Sequence, residues 1–247
     1  MSDIPRFPSL PRGSPLERIV DSVAGTYSRI EADQTAFLEL AALRGSALVC
    51  PAGCGSCCEG FVPDVLPAEA AFIALWLLEF EPGLAAEAAE WGELGPSTLP
   101  PCPLLRGSPG LARCAIYPAR PLVCRLFGAA GDRDKEGRAR FRPCARMPRV
   151  GHPISVGGRP TLTGDDLVRE YGSVPPIMAD YAAELASLCP GEGAERPLLI
   201  SALPAAFGWV GLSLSLAEAD GDRTYLIRDE REKATAARRP ARAARER

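Results

Sequence analysis

The sequence predicts a mainly α-helical protein with long loops. Apolar residues recur at helical spacing over about 15–44, directly after the helix-start pair Ser14-Pro15, and a second apolar run follows Pro67. Glycine and proline number 24 and 25, together about a fifth of the chain against an average of roughly 12%. Because both residue types interrupt regular structure, much of the chain must be loop. The 247 residues, 47% of them hydrophobic, can still bury a substantial core.

We expect five parts along the chain. They are an extended N-terminal segment (1–13), an N-terminal helical segment (14–45), a cysteine-rich module (46–150), a C-terminal helical segment packed on that module (151–228) and a basic tail (229–247), expected to be disordered or a frayed helix. The first segment is expected to be one helix or a helix pair. Further helices are expected from Pro67 to about Phe80, from Gly83 to Leu94, after Thr163-Gly-Asp-Asp and from Pro175-Pro176 to about Leu188.

Residues 197–217 carry no charge, and this length raises the question of a membrane span. Pro204, Gly208 and Gly211 interrupt the run. We therefore favour a buried strand followed by a helix, with a membrane span as the alternative.

The net charge and the N-terminal sequence indicate which partners and which cellular location to expect. The net charge of −3 and the isoelectric point near 5.4 argue against a nucleic-acid partner. The first residues contain no basic stretch followed by an apolar core, so we expect no signal peptide and a cytoplasmic location. Thiols in that compartment stay reduced.

Eight of the nine cysteines lie between residues 50 and 144. They form a first group, Cys50, Cys54, Cys57 and Cys58, and a second group, Cys102, Cys114, Cys124 and Cys144. In a reducing compartment, cysteines this dense are better explained as metal ligands than as disulfides. Soft thiolates suit zinc, ferrous iron and iron–sulfur clusters.

The two groups differ in spacing. Cys54-x2-Cys57 allows one tight loop to aim two sulfurs at an ion, and Cys50 or Cys58 could join it. In the second group 11, 9 and 19 residues separate successive cysteines, so the fold must bring them together. Two four-ligand sites and one site with extra structural thiols both fit the count. Any single cysteine of the second group can also be explained as a buried free thiol, and Cys189 is expected to be a core or surface thiol.

The segment Cys114-Ala-Ile-Tyr117-Pro-Ala-Arg120-Pro-Leu-Val-Cys124-Arg125, together with the first group, resembles the bacterial CxxCxxCC family, also called YkgJ-like. The family is described as a zinc- or iron-chelating domain, and the resemblance covers about 48–150. It implies that the matching cysteines bind metal. Cys50-x3-Cys54 departs from the family's two-residue spacing, which makes Cys50 the least secure ligand. A related cysteine domain occurs in flagellin lysine methylases, where an iron–sulfur cluster is inferred.

Three residues of this segment are candidates for supporting the site. Arg120 and Arg125 flank Cys124, and their guanidinium groups could neutralise an anionic thiolate centre. Surface arginines are the alternative explanation. Tyr117 could form a wall of the site or a hydrogen-bonding core aromatic. His152, the only histidine, is expected to lie in a solvated loop.

The sequence therefore predicts a protein that coordinates iron, as a cluster or as thiolate-bound ions, or else zinc. One alternative is a redox or group-transfer enzyme that uses the cluster, as the methylase resemblance implies. Another is an assembly or interaction protein with a structural zinc. No phosphate-binding loop, dinucleotide fingerprint or nucleophile elbow is present, which disfavours those enzyme classes.

Overall fold

The computed structural model describes residues 7–46, 48–50, 54–91, 101–107, 113–144, 147, 161–189 and 196–237. Within these ranges the mainly α-helical prediction is confirmed. The α-helices are α1 (Pro15–Leu43), α2 (Ser56–Gly60), α3 (Pro67–Phe80), α4 (Pro82–Ala89), α5 (Leu122–Leu126), α6 (Asp165–Tyr171), α7 (Met178–Ala186) and α8 (Leu199–Ala237), with a 3₁₀ turn at Tyr117–Ala119. Strands β1 (Leu105–Arg106) and β2 (Arg113–Cys114) form one antiparallel pair, and β3 (Asp132–Arg133), β4 (Ala139–Phe141) and β5 (Leu162–Thr163) form an antiparallel sheet in that order.

The N-terminal helical segment is a single 29-residue helix, α1. The Ser14 hydroxyl accepts a hydrogen bond from the Glu17 N–H at 3.0 Å, and Pro15 occupies the first helical position. Gly45 follows the helix with φ of +82°, the left-handed conformation that commonly ends a helix. The predicted start and end are therefore both confirmed.

Helix α3 lies at the centre of the protein. Every residue from Ala68 to Leu77 is buried, as expected for a helix that is apolar on all sides. It packs against α1, α4, α7 and α8, and its bounds are those predicted from Pro67 and Phe80. The main hydrophobic core therefore surrounds α3 and includes Cys102 and Leu104 from the second cysteine group and its neighbourhood.

The prediction of a strand followed by a helix at 197–217 is wrong, because helix begins at Leu199. Before it, Leu198 makes only an isolated bridge with Asp64, while the Leu199 N–H donates to the Pro63 carbonyl at 2.8 Å. Pro204 sits inside α8. A proline this near the start of a helix removes one backbone hydrogen bond without ending the helix.

Part of α8, Leu199–Ala217, is long and apolar enough to cross a membrane, with a mean hydropathy of 1.7 and 28% of the segment buried. Leu203 and Val210 are fully buried against the core, whereas Leu212 and Leu216 are 59% and 58% exposed. A core helix of a soluble protein meets the same test of length and composition. The basic tail beyond Ala237 lies outside the described residues.

A second, smaller core lies between the end of α1, strand β4 and helix α6. Phe37, Phe141 and Tyr171 meet edge to face there, with ring centroids 5.4 to 5.8 Å apart. Met147 is buried in the same cluster, and Cys144 packs against it. The cysteine module is thus attached to two separate hydrophobic cores.

Candidate metal centre

The first cysteine group is presented by the short helix α2. Cys57 and Cys58 lie within it, and Cys54 precedes it by two residues. The Cys102 N–H donates to the Cys58 carbonyl at 2.7 Å, so the start of the second group is tied directly to α2. This backbone hydrogen bond joins residues 44 positions apart in the sequence. It is a long-range contact that links the two cysteine groups.

A strand pair brings in the next cysteine. In the β1–β2 pair, Cys114 lies opposite Leu105, and the Ala115 N–H donates to the Leu104 carbonyl at 2.8 Å. Leu104 is buried in the main core. Cys114 is therefore held beside Cys102 by a strand whose partner is anchored in the core.

Helix α5 carries Cys124. Pro121, at φ of −67°, precedes the helix, and the Leu122 N–H donates to the buried carboxylate of Glu69 at 2.6 Å. Because Glu69 belongs to the central helix α3, the start of α5 is fixed to the core. Cys124 follows two residues later on a helix of only five residues.

Five cysteines consequently share one neighbourhood, which we call the inner set: Cys57, Cys58, Cys102, Cys114 and Cys124. Electrostatic interactions couple Cys124 to Cys114, Cys102 and Cys57. They likewise couple Cys58 to Cys57, Cys114 and Cys102. Cys102 is buried and the other four are half-buried. The fold thus assembles thiols from both sequence groups.

The remaining three cysteines of the module form a second neighbourhood, which we call the outer set: Cys50, Cys54 and Cys144. The electrostatic neighbours of Cys50 are Cys54 and Cys144 and also Cys57 of the inner set. Cys50 is exposed, while Cys54 and Cys144 are half-buried. The ninth cysteine, Cys189, is half-buried at the end of α7, against the main core.

The inner thiols differ in acidity. Cys58 donates a hydrogen bond to Cys57, which lowers the pKa of Cys57 to about 6, with backbone N–H groups and Arg120 contributing, and raises the pKa of Cys58. Burial raises the pKa of Cys114 to about 11, and it raises the pKa of Cys124 further. Cys57 is therefore the most acidic thiol of the inner set.

Arg120 is the cationic group of the inner set. It interacts electrostatically with Cys57, Cys114 and Cys124, lowering the pKa of each thiol. Its guanidinium lies over the ring of Tyr117, 4.1 Å from the centroid, while Tyr117 itself is 52% exposed. The Nε atom of Arg120 is buried without a hydrogen-bond partner in the part of the chain that the structure describes. An unpaired cationic donor beside converging thiols fits an anionic, thiolate-ligated metal centre.

Arg125 faces away from the cysteines. Its side chain is 1% exposed and forms an ion pair with Glu31 at 2.8 Å. The guanidinium also donates to the Arg120 carbonyl at 2.9 Å and to the Pro118 carbonyl. Arg125 thus binds the loop before α5 to helix α1. Sequence spacing placed it beside Cys124, but spacing cannot show in which direction the guanidinium points.

Sequence reasoning missed the residue that connects these elements, Glu69. Its carboxylate is buried and accepts from the Tyr27 hydroxyl at 2.9 Å, from the Leu122 N–H at 2.6 Å and from the Leu66 N–H at 3.0 Å. Burial raises the pKa of Glu69, and the three donors oppose that shift. The only local signal was its place in the first turn of α3, where acidic residues are common.

As positioned, no three Cys, His, Asp or Glu side chains of the described residues are grouped as ligands of a single ion. The inner thiols share a neighbourhood without the tight spacing that one tetrahedral ion imposes. His152, expected in a solvated loop, lies outside the described residues. Among the residues that the structure describes, the candidate metal ligands are therefore the clustered cysteine thiols.

Comparison with known proteins gives one match, over the cysteine-rich part of the chain. Neither the curated proteins nor the solved structures contain a match to this chain. Residues 49–145, which hold all eight clustered cysteines, match the model of the CxxCxxCC family, described as a "putative zinc- or iron-chelating domain". The resemblance stated from the sequence is confirmed over that range.

Proposed function

We propose that this domain binds iron through thiolates of the inner set, as an iron–sulfur cluster or as thiolate-bound iron. The observation that carries the proposal is the convergence of five cysteines from two groups separated by more than forty residues. Arg120 interacts electrostatically with three of them, Cys57, Cys114 and Cys124. Soft sulfur donors select iron–sulfur clusters, ferrous iron and zinc over hard cations such as Mg²⁺ and Ca²⁺. The family description is in agreement with metal chelation of this kind.

One feature favours iron over a single structural zinc. A closed zinc site takes four ligands, whereas the inner set alone offers five thiols.

The inner cysteines are tied to the hydrophobic core, although the elements that carry them are short. Cys102 and Cys114 are fixed through the main core, and Cys124 is fixed through Glu69. The elements that bear the cysteines are short, with two residues in β2 and five in α2 and α5. Metal binding can therefore stabilise a region where little apolar burial is available.

The test is anaerobic purification of the full chain, followed by elemental analysis and a visible spectrum. We expect iron, with absorbance from sulfur-to-iron charge transfer, which zinc cannot produce. Cys124→Ser should lose most of the iron, whereas Cys189→Ser, which alters a half-buried cysteine outside the domain, should retain it. A colourless protein with stoichiometric zinc, or equal iron retention in both variants, would contradict the proposal.

A further inference from the structure

We propose that a pair of aromatic rings, Phe61 and Phe127, sets the relative position of helices α2 and α5, which carry three cysteines of the inner set, and thereby the metal affinity of that set. The inference rests on the proposed function in one respect, that the inner thiols are the metal ligands, and it holds for iron and for zinc alike. A phenyl ring has no donor atom for a metal, so both residues act through the cysteines beside them. They are positioning residues.

Helices α2 and α5 end in the same way. Cys58-Glu-Gly-Phe61 closes α2 and Cys124-Arg-Leu-Phe127 closes α5, with the phenylalanine as the residue that caps the C-terminus. Residues three positions apart are neighbours on a helix surface, with about 5–6 Å between their Cβ atoms. Each ring therefore begins one helical turn from a cysteine of the inner set. What fixes the ring also limits where the sulfur can point.

The two rings are in contact with each other. Their centroids are 5.7 Å apart and their planes are inclined by 55°, within the range at which aromatic pairs attract. The contact joins residues 66 positions apart in the sequence. Because each ring stands beside a cysteine, the contact turns the cysteine-bearing ends of α2 and α5 towards each other. It links the first cysteine group to Cys124 through side chains, whatever the charge on the thiols.

Helix α2 depends on such a contact more than α5 does. None of its five residues is buried, whereas three of the five residues of α5 are. The Cys58 carbonyl accepts from the Cys102 N–H, and Val62, the residue after Phe61, is buried in the main core. These contacts fix where α2 ends, but not which of its sides faces α5. The ring of Phe61, packed against the cap of a helix that is itself anchored in the core, supplies that orientation.

The ring pair lies at the surface of the protein. Phe127 is 46% exposed and Phe61 is partly exposed. Neither residue is among the described members of the main core or of the smaller one. An aromatic pair contributes up to about tenfold to an equilibrium constant, which is small beside the folding equilibrium of a domain. Loss of one ring should therefore change the metal affinity of the inner set and leave the fold intact.

The experiment is an anaerobic Co²⁺ titration of the full metal-free chain, followed by thiolate-to-cobalt charge-transfer absorbance. Co²⁺ accepts the same sulfur donors as iron and zinc, and unlike zinc it is coloured. The proteins compared are the wild type, Phe61→Ala, Phe127→Ala, the double variant, Phe127→Tyr and Phe80→Ala. Phe80, at the end of α3, is the matched control, because it is 43% exposed and its ring lies 6.0 Å from that of Phe7 at an inclination of 53°.

We expect Phe61→Ala and Phe127→Ala each to bind Co²⁺ about tenfold more weakly than the wild type. Residues that act through one shared contact are not additive, so the double variant should be weaker than either single variant by less than about twofold. Phe127→Tyr keeps the ring and should stay within about threefold of the wild type. Phe80→Ala should bind Co²⁺ as the wild type does, and its urea midpoint in the metal-free state should match those of the other two alanine variants.

Unchanged Co²⁺ affinity in Phe61→Ala and Phe127→Ala would overturn the inference. Losses that multiply to about a hundredfold in the double variant would do the same, since the two rings would then act separately. A loss in Phe80→Ala as large as in Phe127→Ala would also overturn it, because general destabilisation would explain both. Zinc in place of iron in the purified wild type would contradict only the proposed function, because the Co²⁺ affinities still measure the effect of the rings. A wild type that gains no thiolate-to-cobalt absorbance would contradict both.

Discussion

The guanidinium of Arg125 lies over the ring of Tyr27, with its central carbon 4.0 Å from the ring centroid. The Tyr27 hydroxyl donates to Glu69, and Glu69 in turn accepts from the Leu122 N–H at the start of α5. These contacts connect α1, α3 and the helix that carries Cys124. The position of that cysteine therefore depends on residues outside the matched family segment, in the N-terminal helix.

We expect Glu69→Gln to destabilise the protein by about 2 kcal/mol, the usual cost of leaving one buried donor unpaired. The amide keeps one acceptor oxygen, but its NH₂ group replaces one of the oxygens that accept from Tyr27, Leu122 and Leu66. Urea unfolding of the metal-free protein gives the measurement. Glu39→Gln, on an exposed part of α1, is the matched control and should change stability by less than about 0.5 kcal/mol. If Glu69→Gln and Glu39→Gln changed the stability equally, the hydrogen bonds of Glu69 would not be what connects α1, α3 and α5.

Arg125→Lys is expected to cost about 2 kcal/mol, because the positive charge stays but buried backbone carbonyls lose their donors. Lysine lacks the planar fork that reaches Glu31 and two backbone carbonyls at once. The matched control is Arg29→Lys, since the Arg29–Glu184 pair is about half exposed and surface pairs contribute little. If the two substitutions had the same effect on the urea midpoint, Arg125 would not be the link between α1 and α5.

Local sequence signals predict most of the long helices. They do not predict the contacts that position the cysteines. Ser14-Pro15 and Pro67 mark helix starts by backbone chemistry that needs no tertiary context. The contact between Glu69 and Leu122 joins residues 53 positions apart, for which a single sequence holds no signal. The strands β3 to β5 were also missed, because two or three residues are too few to show an alternating pattern.

The cysteines show the same division. Their density and their two-part pattern were enough to predict a metal-binding module, as the family match over 49–145 supports. Spacing could not show that Cys144 packs on the smaller core while Cys114 packs on the main one. That partition depends on where the chain turns at Gly128, a tertiary property.

In the metal-free protein we expect Cys57 to be the most rapidly alkylated inner cysteine near neutral pH. Its pKa is lowered to about 6, so its thiolate forms as the pH rises through that value, well below the ordinary thiol value of about 8.5. The alkylation rate of Cys57, followed by peptide mass spectrometry, should reach half of its plateau near pH 6. Cys58→Ala, which removes the largest cause of the lowered pKa, should move this midpoint upward. A midpoint near 8.5 in the unsubstituted protein would contradict the assignment.

Removal of the metal should loosen the segment from Arg113 to Cys144 and leave the helical core folded. The module between Arg113 and Cys144 has only short elements, whereas α1, α3 and α8 bury a core of their own. Because metal binding contributes folding free energy where apolar burial is small, trypsin should cleave the metal-free chain first at exposed arginines of the module, such as Arg133 and Arg138. Metal-loaded and chelator-treated protein are compared by limited proteolysis, with helix content followed by circular dichroism. Cleavage that starts within α1, at Arg18 or Arg29, at the same rate in both forms would show that the metal does not order the segment from Arg113 to Cys144.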